Sequence, residues 1–82
     1  MTIRTFTFVL SGSLTVGEEE AANRLYAAGC DDAIFSAVNG KYFLDFDREA
    51  TTLEEAVVSA KADVEKVSIG LIVDIVVLPK EL

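Results

Sequence analysis

Apolar positions along the chain recur at intervals of either two or about 3.6 residues, and each stretch of constant interval predicts one element. From Ile3 to Leu10, Phe6, Phe8 and Leu10 alternate with Thr5, Thr7 and Val9, the pattern of a strand with one face on a core. Ser11-Gly12-Ser13 ends it. From about Val16 to Ala28 the interval becomes helical: Ala21, Leu25 and Ala28 form a stripe with Tyr26 at its edge. Thr15 and Glu18 have capping-box spacing, and Glu18, Glu19 and Glu20 fall where the positive end of the helix dipole favours acids. Gly29 suits the left-handed residue that closes a helix.

The next two runs flank Asn39-Gly40, the dipeptide of a tight type I′ hairpin turn. A two-residue turn pairs Val38 with Lys41, Ala37 with Tyr42, Ser36 with Phe43 and Phe35 with Leu44. Ala33, Phe35, Ala37, Tyr42, Leu44 and Phe46 then share one face. Ile34, Ser36, Val38, Lys41, Phe43, Asp45 and Asp47 share the other, and its charges turn it to solvent.

A second helix is expected from about Leu53 to Val67. Its stripe is Leu53, Ala56, Val57, Ala60, Val64 and Val67, with Glu54, Lys61, Asp63 and Glu65 in water and Thr52 and Glu55 at capping-box spacing. The last strand spans about Ile69 to Leu78, and Pro79 ends it. Leu71, Val73, Ile75 and Val77 are expected to face the core. Ile72, Asp74, Val76 and Leu78 are expected outside, because an unpaired buried carboxylate is costly.

The order β-α-β-β-α-β with right-handed crossovers predicts an α+β, ferredoxin-like sandwich, with a four-stranded antiparallel sheet and two helices on one face. The alternative is a two-layer α+β fold with another strand order. The uncovered sheet face would carry Ile34, Val38, Phe43, Ile72, Val76 and Val9 among Thr5, Thr7, Ser36, Asp45 and Asp74, an apolar patch that suggests an interface, with a second copy, a partner protein or a domain present in longer relatives. Strand propensity alone would also place β-branched residues there.

At 82 residues and 8.8 kDa the chain is read as one domain, residues 1–82. Its 51% apolar content rules out a disordered acidic tail. The absence of His excludes serine and cysteine triads that use imidazole, and imidazole metal sites. A single cysteine, Cys30, excludes an internal disulfide and thiolate zinc clusters. Cys30 fits a reducing compartment, and Asp31 and Asp32 beside it disfavour its thiolate. No signal peptide or membrane-length apolar run is visible, so a cytoplasmic location is expected.

Seven basic against fourteen acidic residues give a net charge of −7 and argue against direct binding to nucleic acid. Gly12 and Gly17 do not make a phosphate loop, since no Lys follows them. Asp45 and Asp47 share a strand face about 7 Å apart, with Glu49 following. Without a pocket or a companion base they read as a solvated acidic edge, with Arg48 and Lys41 making weak surface pairs, rather than as an acid/base pair or cation site. Tyr26 and Tyr42 read as core-edge aromatics. No catalytic motif, cofactor or metal site is found, and the chain is not expected to be an enzyme.

The block Ala28-Gly29-Cys30-Asp31-Asp32-Ala33, then Phe35, and the run Asp45-Phe46-Asp47-Arg48-Glu49-Ala50 followed by Leu53-Glu54-Glu55-Ala56-Val57 resemble a family of small bacterial proteins in which this segment precedes a helix-turn-helix region. That resemblance implies a regulatory or interaction domain, such as a dimerisation or sensing module. No helix-turn-helix pattern follows before Leu82, so direct DNA contact is not expected. By type, a small, acidic, non-enzymatic domain also resembles the anti-CRISPR inhibitors of phages and mobile elements. The expectation is a protein partner with a basic nucleic-acid-binding surface, such as a CRISPR surveillance complex. Asp31, Asp32, Asp45, Asp47, Glu49, Glu54 and Glu55 would imitate phosphates there, and Phe43 and Ile34 would add apolar contact. Acidity that serves solubility alone is the simpler alternative.

Overall fold

The computed structural model describes residues 2–79. Six elements follow one another: β1 (Thr2–Gly12), α1 (Glu18–Ala27), β2 (Ala33–Val38), β3 (Lys41–Ala50), α2 (Leu53–Glu65) and β4 (Leu71–Val77). The strands form one antiparallel sheet in the order β2-β3-β1-β4. This is the ferredoxin-like α+β sandwich expected from the pattern. Two βαβ crossovers return the chain to the same side of the sheet and leave the longest strands, β1 and β3, in the middle.

The core lies between sheet and helices. Phe6, Phe8 and Leu10 of β1, Leu44 and Phe46 of β3, Ala21 and Leu25 of α1, and Ala56, Ala60 and Val64 of α2 are all buried. Phe6, Phe8 and Phe46 form a mutual cluster with ring centroids 5.1–5.4 Å apart. Alanines on the inner stripe of α2 let the helix axis approach the sheet around these rings.

Local chemistry explains most element ends. Asn39 and Gly40 both take positive φ, 51° and 79°, as a type I′ turn requires. All four expected hairpin pairs form, and the register runs on to Ala33–Phe46. The Cys30 and Gly29 amides donate to the carbonyls of Leu25 and Tyr26, a Schellman closure of α1 with Gly29 at positive φ. Thr52 caps α2, its hydroxyl accepting from the Glu55 amide at 3.1 Å.

The capping box expected at Thr15 does not form. α1 starts at Glu18 behind Gly17, and no side chain caps it. The Thr15 amide donates instead to the Ile69 carbonyl, 3.0 Å away, because Leu14 and Val16 pack on the core where β1 and β4 converge. Gly12 and Gly70 meet at this convergence, both at positive φ. A Cβ on Gly12 would run into the Gly70 carbonyl, and one on Gly70 into the Ser13 carbonyl.

The largest departure from expectation is in β4. Leu10 pairs with Val73, but Val9 pairs with Ile75, so Asp74 is an extra residue, a β-bulge. The bulge inverts the facing of everything after it. Val76, expected outside, lies opposite Phe8 and packs on the core; Ile75 and Val77, expected inside, lie opposite Val9 and Thr7 on the open face and are about half exposed, at 53% and 50%. Leu53, Val57 and Val58 of α2 line an apolar cleft with Val76 and Leu78. No helix among the described residues is long and apolar enough to cross a membrane.

Candidate interaction surface

Alternation in β3 puts Asp45, Asp47 and Glu49 on the sheet face away from the helices, and Leu44, Phe46, Arg48 and Ala50 toward them. Arg48 is therefore buried (9% exposed) rather than at the acidic edge, and the weak surface pairs expected for it do not form. Its guanidinium has five N–H groups, and each finds an acceptor. Nε and Nη2 grip the Asp32 carboxylate at 2.7 and 3.0 Å, and Nη2 also reaches the Gly29 carbonyl at 2.8 Å. Nη1 donates to Ser59 Oγ at 3.1 Å and to Asp63 Oδ2 at 3.0 Å. The Phe46 ring lies beneath, 5.1 Å from the guanidinium carbon. Hydrogen bonding to Asp32, opposed by burial, raises the Arg48 pKa further above its ordinary value.

Gly29 makes this node possible. A Cβ there would lie 2.8 Å from Asp63 Oδ2, so a larger residue would displace the Asp63 carboxylate from Arg48. Burial, and then the nearby Asp63 carboxylate, lift the Cys30 thiol to about 11, which makes it an unreactive core residue.

The expected site residues do not form one surface. Asp32 is half-buried, and its carboxylate is held by Arg48. Asp31, Asp47 and Glu49 border one shallow depression of about 530 Å³ together with Ile3, Gly29, Asp32, Arg48 and Asp63. The Asp47 carboxylate accepts from the Thr5 hydroxyl across the strand pair at 3.2 Å, and Asp45 accepts likewise from Thr7 at 2.6 Å. Neither Asp45, Asp47, Glu49 nor Asp31 has an ion-pair partner among the described residues. Glu54 and Glu55 are exposed at the start of α2, on a separate depression with Thr52, Val58, Ser59 and Ala62.

Phe43 and Ile34 lie apart from the acidic depression, on the open sheet face. Ile34 is 70% exposed and Val38 is exposed on the same edge strand, while Ile72, Ile75 and Val77 are exposed on the opposite edge strand, β4. Phe43 and Val9 sit half-buried at the centre of this face, in register with each other. Lys41, expected to pair weakly with the acids, makes no ion pair among the described residues. No sequence spacing links Arg48 with Asp63, because one lies on a strand and the other on a helix. The signal for Arg48 was its even position in a strand whose even positions face inward.

The described residues hold no group of three or more acids and cysteines arranged to bind a metal ion. What the surface offers is fixed negative charge beside an uncovered apolar sheet. No family model, no curated protein and no solved structure matches this chain, so its own surface is the starting point for its function.

Proposed function

We propose that this chain is a non-enzymatic protein-binding domain that occupies a basic, nucleic-acid-binding surface of a partner. The observation that carries this reading is the depression bordered by Asp31, Asp47 and Glu49, whose one cation, Arg48, is already committed to Asp32 and Asp63. The three remaining carboxylates are presented without local neutralisation. Asp47 is held in place by Thr5, so little side-chain freedom is lost when a partner arrives. A net charge of −7 speeds encounter with a basic channel.

In this reading Asp31, Asp47 and Glu49 stand where phosphates would lie. Glu54 and Glu55 extend the negative field from the start of α2, and Asp45 extends it along β3. Asp32 takes no part, and Phe43 and Ile34 lie on the open sheet face outside the depression. The matching target is a channel that normally holds a nucleic-acid backbone, the surface a phage-borne inhibitor of a CRISPR surveillance complex would have to cover.

The test is competition with labelled duplex DNA for a purified surveillance complex. The chain should displace DNA at about 50 mM salt and lose most of that ability by about 300 mM. The double variant Asp47→Lys/Glu49→Lys should compete at least about tenfold less well, since it turns attraction into like-charge opposition. Competition indifferent to salt, or an unimpaired double variant, overturns the assignment.

A further inference from the structure

We propose that two copies of the chain pack their open sheet faces together about a two-fold axis crossing the strands along the line Ser36–Phe43–Val9–Ile75. The inference is independent of the acidic depression, which lies outside the contact.

Strand register arranges the open face in rows. The middle row is Ser36, Phe43, Val9 and Ile75, taken across β2, β3, β1 and β4. On one side lies the row Ile34, Asp45, Thr7 and Val77. On the other lie Val38 paired with Lys41, and Ser11 paired with Ile72, one step beyond the Leu10–Tyr42 pair. Rotation about the middle row sets Val38 over Ile34, Lys41 over Asp45, Ser11 over Thr7 and Ile72 over Val77. Phe43, Val9 and Ile75 each meet their own copy. Apolar opposes apolar, hydroxyl opposes hydroxyl, and the single cation opposes a carboxylate.

Other axes fail on the same rows. An axis along the Asp45 row sets Asp45 against Asp45 and Phe43 against Asp47. An axis along the Lys41 row opposes two ammonium groups. An axis parallel to the strands, between β3 and β1, buries Asp45 and Asp47 against Thr7 and Thr5 with no counter-charge, which is costly. Lys41 and Asp45 are about 13 Å apart along β3, too far to pair within one chain, and Phe43 stands midway between them. The bulge at Asp74 completes the match, because it places Ile75 rather than Asp74 in register with Val9. Asp74 stays exposed on the edge strand.

Three rows of four strands cover roughly 400 Å² of flat sheet per copy. With side-chain relief the pair buries on the order of 1,000 Å², the lower end for a specific interface, so a dimer that dissociates at around micromolar concentration is expected.

Sedimentation equilibrium from about 1 µM to about 1 mM should show the 8.8 kDa species give way to one of twice that mass. Phe43→Lys should remain monomeric throughout while keeping its circular dichroism. Lys41→Asp and Asp45→Lys should each weaken association about tenfold or more, and the double variant K41D/D45K should recover to within about threefold of the parent. Asp47→Lys/Glu49→Lys, outside the contact, should dimerise normally, so loss of a basic partner and loss of the dimer are separately readable. A monomer at the highest concentration, a dimer that survives Phe43→Lys, or a charge swap that fails to recover overturns the proposal.

Discussion

Arg48 concentrates more interactions than any other side chain described here. A buried guanidinium is tolerated only when its donors are met, and here Asp32, Asp63, Ser59 and the Gly29 carbonyl meet all five. The node ties β3 to the α1–β2 connection and to α2, three places far apart in sequence. Arg48→Met removes the cation and leaves two carboxylates facing each other, which should cost about 3–5 kcal/mol in urea unfolding. Arg48→Lys should cost less but still more than about 1 kcal/mol, since an ammonium cannot grip Asp32 with two parallel bonds. Cys30 makes a pH prediction with a definite sign. Its thiol is raised from 9.0 to about 11 in the folded chain, chiefly by burial. The unfolded thiol therefore ionises first, and stability, complete below pH 9, should fall as pH rises from 9 toward 11. Cys30→Ala should flatten that part of the stability–pH curve, and alkylation of the folded parent at pH 8 should be slow unless the chain opens.

At the scale of elements, β4 shows how one residue changes the use of a strand. Alternation from Leu71 onward put Ile75 and Val77 inside, and it holds as far as Val73. The extra residue at Asp74 leaves the pairing with β1 intact on both sides of it, and every later side chain changes face. Val76→Asp should therefore destabilise the fold by about 2 kcal/mol or more, because it sets a carboxylate among Phe8, Val57 and Leu53. Ile75→Asp should change stability by no more than about 0.5 kcal/mol at concentrations where the chain is monomeric. The reverse ranking in denaturant titrations would show that the bulge is absent. The Asn39-Gly40 hairpin needed no such correction, since its turn chemistry allows a single register.

For the whole molecule, charge and shape are segregated. Arg24 is paired with Glu20, and Lys66 with Asp63, while Arg48 is internal, so much of the positive charge is already matched. The excess negative charge falls on the helix starts and on the outer side of β3. Self-repulsion of this kind is screened by salt, so the thermal midpoint should rise between about 20 and about 300 mM sodium chloride, followed by calorimetry. A midpoint that falls over this range would mean that the surface ion pairs outweigh the repulsion.

Period, turn chemistry and capping residues sufficed to determine the six elements, their order, the hairpin register and most of the core, because each of these depends on neighbours within about a turn of helix or a pair of strands. Arg48, expected at the acidic edge, lies instead on the inward side of β3, where the hairpin register brings Asp32 beside it and the crossover through α2 brings Asp63. Tertiary structure alone decided the rest. The approach of β1 to β4 at Gly12 and Gly70 replaced the Thr15 cap with a backbone bond, and the pairing of β4 with β1 created the bulge. That pairing chose which apolar residues, Ile75 and Val77 rather than Val76, lie uncovered on the open face, because facing in a sheet is set by register between strands and not by the composition of any one of them.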